Sequence, residues 1–214
     1  MLKGIKNSEM LYIILVVVLR YTYICPSTHK FCIGYGRYGI EERRMNLISD
    51  VLQYELTRNG IQTARSDTDM TVCEAVADAN ARECNSFISI RSQSADARRC
   101  GCEIYYFEEY GNGKRLAYDI ADRLNLLTQV KAQNSAKVYG GLAYYELRKT
   151  KAPSVIVAVG FHDNPKDADF IIDNTYELGV EIARGVSDYY GIDYRDDGKE
   201  SQAIMRASYN GVIF

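Results

Sequence analysis

Apolar positions along this chain alternate between short continuous runs and 3.6-residue stripes, a pattern that predicts strands interleaved with helices. Tyr21-Thr22-Tyr23-Ile24-Cys25 alternates and stops at Pro26-Ser27-Thr28-His29, so it predicts a first strand running into a loop. Residues 30–40 carry Gly34, Gly36 and Gly39 and read as an irregular loop. Met45, Ile48, Leu52 and Leu56 form one stripe from Glu41 to Asn59, and Gly60 stops it. A short strand follows over Ile61 to Ala64. Asp69 or Thr71 caps a second helix reaching about Glu83, with Val72, Ala75, Val76 and Ala79 inward. Phe87-Ile88-Ser89-Ile90 is a buried strand ending at Arg91, and Glu103 to Phe107 is another. Gly111-Asn112-Gly113 breaks the chain before a helix with Leu116, Ile120, Leu124 and Leu127, whereas residues 128–150 show no clear period.

Val155-Ile156-Val157-Ala158-Val159 is the strongest strand signal. It is β-branched, uninterrupted and bounded by Pro153 and Gly160, which predicts burial on both faces. Chemistry in open α/β sheets sits beyond the carboxyl ends of such strands, here the loop Gly160 to Asn164 with His162. One long amphipathic helix is predicted from about Asp167 to Tyr190, with Gly191 as its stop. The order implies a single α/β domain with a mostly parallel central sheet covered by helices on both faces. Its span is 21–192, between a hydrophobic segment at 1–20 and a polar tail at 193–214.

That first segment places Met10 to Leu19, an apolar run, between Lys3 and Lys6 on one side and Arg20 on the other. It is too short for a bilayer span, which needs about 20 residues. It resembles a secretory signal without a small-residue cleavage site, or an extra upstream strand or extension. The first alternative places the protein in the cell envelope or outside the cell; the second leaves it cytoplasmic before release.

Composition changes the picture little. The 26 basic and 28 acidic residues give a net charge of −2, which offers no electrostatic case for nucleic acid. The six cysteines contain no Cys-x-x-Cys, and Cys100-Gly101-Cys102 is a weak metal or redox signal, so free, largely buried thiols are expected. Gly34-Tyr35-Gly36-Arg37-Tyr38-Gly39 lacks the Lys-Ser/Thr ending of a phosphate loop and reads as a groove rim.

The ordered motifs carry more. They are Pro26-Ser27-Thr28-His29, Glu42-Arg43-Arg44-Met45-Asn46, Arg65-Ser66-Asp67, Ala79-Asn80-Ala81 and Gly101-Cys102-Glu103-Ile104-Tyr105-Tyr106. Leu147-Arg148-Lys149-Thr150 and Gly160-Phe161 to Asn164 follow. In this order the chain resembles the zinc-dependent N-acetylmuramoyl-L-alanine amidases of the amidase-3 type over about residues 21–191. The resemblance implies a zinc held by two His and one Glu, and a catalytic Glu near the end of the last strand. The substrate it implies is the lactyl–L-alanine amide of peptidoglycan, with stem peptide and glycan as partners. Three protein ligands leave a water whose pKa zinc lowers to about 7.

Residue by residue, the resemblance places ligands at His29 and at Glu42, with Glu41 as a substitute, and substrate contacts at Asn46 and Asn164. It places the second ligand His at Arg91 and the base at Ala158. Arg has no lone pair to donate, and Ala has no proton to move. His162, Cys25, Cys100 and Cys102 are the candidate replacements, and an Arg91–Glu42 ion pair in the metal's place is the favoured arrangement. The expectation is an amidase-family protein with impaired catalysis. The alternatives are a non-catalytic peptidoglycan-binding or regulatory module, and a cytosolic α/β domain with thiol chemistry.

Overall fold

A computed structural model of the chain describes residues 20–107, 111–135 and 144–196. The hydrophobic segment at 1–19 and the tail from 197 therefore lie outside the described residues. The strands are β1 (Tyr21–Pro26), β2 (Gln62–Arg65), β3 (Ser86–Gln93), β4 (Cys102–Tyr106), β5 (Val130–Asn134) and β6 (Ser154–Phe161). They form one sheet in the order β2-β1-β3-β6-β4-β5. All pairings are parallel except β4 against β6. Among the described residues the α-helices are α1 (Glu41–Arg58), α2 (Val72–Ala81), α3 (Asn112–Leu124), α4 (Tyr145–Lys149), α5 (Pro165–Asp173) and α6 (Thr175–Tyr190), with one 3-10 turn at Gly36–Tyr38.

Strand alternation splits the sheet's side chains between two layers. Ile24, Ile88, Ile90, Val155, Val157 and Ile104 pack with residues of α1, α3 and α6 in the main core. On the other face Tyr23 and Phe87 pack with α2, while Tyr105, Ile156 and Ala158 pack with Leu147 of α4. β6 is buried along its whole length, as its apolar run requires.

Three local expectations were refined. Thr71, not Asp69, caps α2, in a full capping box with Glu74. The long helix predicted over 167–190 is two helices meeting at Asn174, whose φ of −116° and ψ of 23° leave helical geometry. The Asn174 side chain and the Thr175 hydroxyl donate back to the Phe170 and Ile171 carbonyls, satisfying the end of α5 at the break. The unpatterned stretch 128–150 contains β5 and α4, both too short to display a period.

Two glycines set how closely α6 packs. A Cβ at Gly179 would lie 2.5 Å from Val51 Cβ, and one at Gly185 would lie 2.5 Å from Ile120 Cα. The Gly185 clash is with backbone, which cannot rotate away. Gly185→Ala is therefore expected to destabilise the fold by about 1–3 kcal/mol, read as a lowered urea midpoint at unchanged slope.

Candidate active site

β1 delivers the chain to the carboxyl edge of the sheet, where Ser27 N–H bonds Ile90 O at 2.9 Å. The Ser27 hydroxyl then accepts from His29 N–H at 3.3 Å. The glycine-bearing loop is closed rather than loose. Ile33 and Ile40 pair in an antiparallel bridge, Gly34 N–H bonds Gly39 O at 2.9 Å, and Glu41 N–H bonds Cys32 O at 2.9 Å. Gly39 makes the reversal at φ 74°, a conformation that favours glycine. Tyr35 N–H bonds His162 O at 2.7 Å, tying the loop to the end of β6.

Loop closure brings Cys32 beside Glu41, the first residue of α1. Glu41 is 2% exposed, and its two oxygens are used separately. Oε1 accepts from Ser92 N–H at 3.0 Å, and Oε2 faces His29 Nδ1 at 3.2 Å. The amino end of a helix favours this carboxylate. The donor atoms of His29, Cys32 and Glu41 all lie within 4.8 Å of one another. Burial, helped by the adjacent Glu41 carboxylate, pushes the Cys32 thiol up.

The carboxylate beside His29 thus belongs to Glu41. Glu42 turns toward Asn46, whose Nδ2 lies 3.5 Å from Glu42 Oε1 and donates to Glu42 O at 2.7 Å. Helical rotation explains the difference, since consecutive residues of a helix point about 100° apart. Asn46 accepts from Arg65 Nη2 at 2.5 Å and lines a groove of about 760 Å³ with Asp50, Arg65, Asp67 and Asp69. Asn164 is a helix cap. Its Oδ1 accepts from Lys166 and Asp167 N–H, and its Nδ2 donates to Ala97 and Arg99 carbonyls.

His162 is 6% exposed and stands outside the His29–Cys32–Glu41 group. Its Nδ1 is 2.8 Å from Ser92 Oγ, which also accepts from Tyr38 OH at 2.8 Å. With the Tyr38 proton on Ser92, the Ser92 hydroxyl is left to donate to an unprotonated Nδ1. Burial lowers the His162 pKa below its ordinary value. A folded pKa below the unfolded one means that the unfolded chain binds more protons. Stability should therefore fall as pH drops through about 6.5 toward the folded value. Denaturation midpoints between pH 7 and 5 should show this slope, and His162→Gln should flatten it.

The Arg91–Glu42 ion pair expected from the sequence does not form. Alternation along β3 places Ser92 toward α1 but Arg91 toward α4. There Arg91 Nη2 bonds Glu146 Oε1 at 2.7 Å, and its Nε bonds Ser89 Oγ at 2.9 Å. The pair is largely enclosed, at 15% and 5% exposure. Ala158 is the register partner of Arg91 on one side and of Glu103 on the other. It is buried among Tyr105, Ile156 and Leu147. Glu103 accepts from Tyr105 OH, from Gln93 Nε2 at 2.9 Å and from Arg99 Nη2 at 2.7 Å. Burial works to raise its pKa, but the Tyr105, Gln93 and Arg99 contacts outweigh it and hold the carboxyl below its ordinary value.

A zinc held by His29, Glu42 and residue 91 does not fit these residues. Arg91 has no lone pair and is bound to Glu146, and Glu42 is not the carboxylate at His29. Among the candidate replacements, Cys25 and Cys102 are buried free thiols and Cys100 is an exposed one; none belongs to the His29 group. Cys32, Glu146 and Glu103 are site residues to which the sequence motifs give no role. For Glu103 a usable signal existed, an inward position on a strand flanking the expected base.

Comparison with known proteins supports the architecture. The family model described as N-acetylmuramoyl-L-alanine amidase matches residues 32–188. The Bacillus subtilis protein YqiI is 29% identical over 160 residues, covering 71% of this chain and 76% of its own. The B. subtilis N-acetylmuramoyl-L-alanine amidase LytC is 29% identical over 163 residues, but the match spans only 32% of LytC. The catalytic domain of the amidase CwlV from Bacillus (Paenibacillus) polymyxa superposes with a TM-score of 0.69 at 18% identity, covering 81% of this chain and 99% of that domain. AmiC2 of Nostoc punctiforme superposes at 0.70 with 20% identity, covering 80% and 98%.

Proposed function

Because the chain belongs to the N-acetylmuramoyl-L-alanine amidase family, we propose that it engages peptidoglycan at the cell envelope with little or no hydrolysis of the lactyl–L-alanine amide. The observation that carries this reading is the Arg91–Glu146 pair beside Ala158. It fills the place where the family resemblance puts a metal-binding His and a base with a permanent cation, its counter-ion and a methyl group. Arg91 has no lone pair to offer a metal, and its guanidinium occupies the Glu146 carboxylate.

What remains suits binding. The groove next to Asn46 carries Asp67 and Glu74 besides Asp50, paired with Arg65, and Asp69, paired with Lys30, an acidic balance that favours the free amino groups of stem peptides. Asn46 is the substrate contact in this reading, and Asn164 acts from behind by fixing the start of α5 and the 97–99 loop. Exposed Phe31, Ile33 and Tyr35 offer flat apolar surface to glycan on the loop above the site.

The test is co-sedimentation of the purified protein with peptidoglycan sacculi, with released stem peptide assayed in the supernatant. Retention on sacculi with no peptide above the buffer control is the expected outcome. Failure to sediment defeats the binding half, and sustained peptide release defeats the catalytic half. Binding should also weaken as salt rises from about 0.05 to 0.5 M, because an exposed acidic groove acts through screened charge.

A further inference from the structure

We propose that His29, Cys32 and Glu41 form a metal site of their own for a divalent ion of the zinc class, with the third donor supplied by the closed loop instead of strand β3. This goes beyond the function proposed above and does not rest on it. The site needs no residue 91.

Three observations converge on it. The donor atoms of the three side chains already lie within 4.8 Å of one another, so one ion reaches all of them with small side-chain adjustments. The backbone that brings them together is fixed independently of any ion, by the Ile33–Ile40 bridge and the Glu41 N–H to Cys32 O bond. The carboxylate is oriented from behind, because Ser92 N–H holds Oε1 and leaves Oε2 toward His29. Outer contacts of this kind tune metal ligands.

The donor chemistry selects the ion. One sulfur, one nitrogen and one oxygen suit zinc or cobalt, whereas magnesium and calcium prefer oxygen alone. Binding forms one bond each from metal to thiolate sulfur, imidazole nitrogen and carboxylate oxygen, and the Cys32 thiol proton leaves to solvent. His29 is 54% exposed, so the face it presents is open to water. Arg91 is no obstacle, since Glu146 balances its charge. Such an ion would staple the groove-rim loop to the first turn of α1.

The test reads the thiolate directly. The reduced, metal-free full-length chain is titrated with cobalt(II) without oxygen. A near-ultraviolet sulfur-to-cobalt charge-transfer band is expected with one equivalent. It should vanish in Cys32→Ser and persist in Cys100→Ser, whose thiol is exposed and outside the group. Should Cys32→Ser fold poorly, alkylation of the native chain gives the same information. Zinc should protect Cys32 but not exposed Cys73, as read by peptide mass spectrometry. Absence of the band, its survival in Cys32→Ser, or equal alkylation of Cys32 with and without zinc each overturns the proposal. Neither readout involves turnover or sacculus binding, so this site and the proposed function fail separately.

Discussion

The combined variant Arg91→His, Ala158→Glu, Glu146→Gln is expected to release stem peptide from sacculi about 10²–10⁴-fold faster than the native chain, the range a positioned general base contributes. Each change has its own reason. His at 91 restores a lone pair at the strand position where the family resemblance places a ligand. Glu at 158 restores a carboxylate on the neighbouring strand, in register with it. Gln at 146 removes a negative charge that would be stranded once Arg91 is gone. The single change Ala158→Glu should gain almost nothing. It sets a new carboxylate beside Glu103 and near Glu146 in a packed site, and leaves Arg91 in place. Groups that act as a unit are strongly non-additive, so the gain should appear only in combination. The measurement is the rate at which new L-alanine amino termini appear. Comparable release by the native chain, or none from a folded, zinc-loaded variant, would sink this account of the site.

Much of the fold was legible because its signals are local. β6 shows in an unbroken β-branched run, α1 in a clean stripe, and α2 in Thr71 and Glu74 three residues apart. The break at Asn174 was not legible, because the apolar stripe continues across it from Ile171 to Leu178. In the site, the ordered motifs mark the ends of β1 and β3 and the loop after β6. They could not tell Glu41 from Glu42, because both belong to the first turn of α1 and only the loop geometry decides which faces His29. Cys32 is silent in the sequence for the same reason. Its nearness to Glu41 comes from a hairpin-like closure that no periodicity records. Glu146 lies in a five-residue helix, so the real partner of Arg91 was hidden and a nearer carboxylate in the motif stood in for it.

Arg91→Ala is expected to cost about 3–5 kcal/mol, a loss of roughly 6–20 °C in Tm, because it leaves Glu146 buried and unpaired. The desolvation of Glu146 would persist while the charge that offsets it is removed. Arg91→Met with Glu146→Leu should behave differently. It takes both charges out of the interior and refills the space with apolar atoms that extend the Leu147–Tyr105 cluster. Exchanges of this kind are commonly neutral or stabilising, so the double variant should unfold within about 1 kcal/mol of the native chain. Denaturation of Arg91→Met, Glu146→Leu and the double variant completes the cycle. A small effect of Arg91→Ala would mean that water reaches Glu146 and that the pair is no plug. If the double variant is stable and still sediments with sacculi, the pair contributes no recognition of its own. Its role is then to close the position where the resemblance places a metal ligand, while the groove beside Asn46 carries the binding.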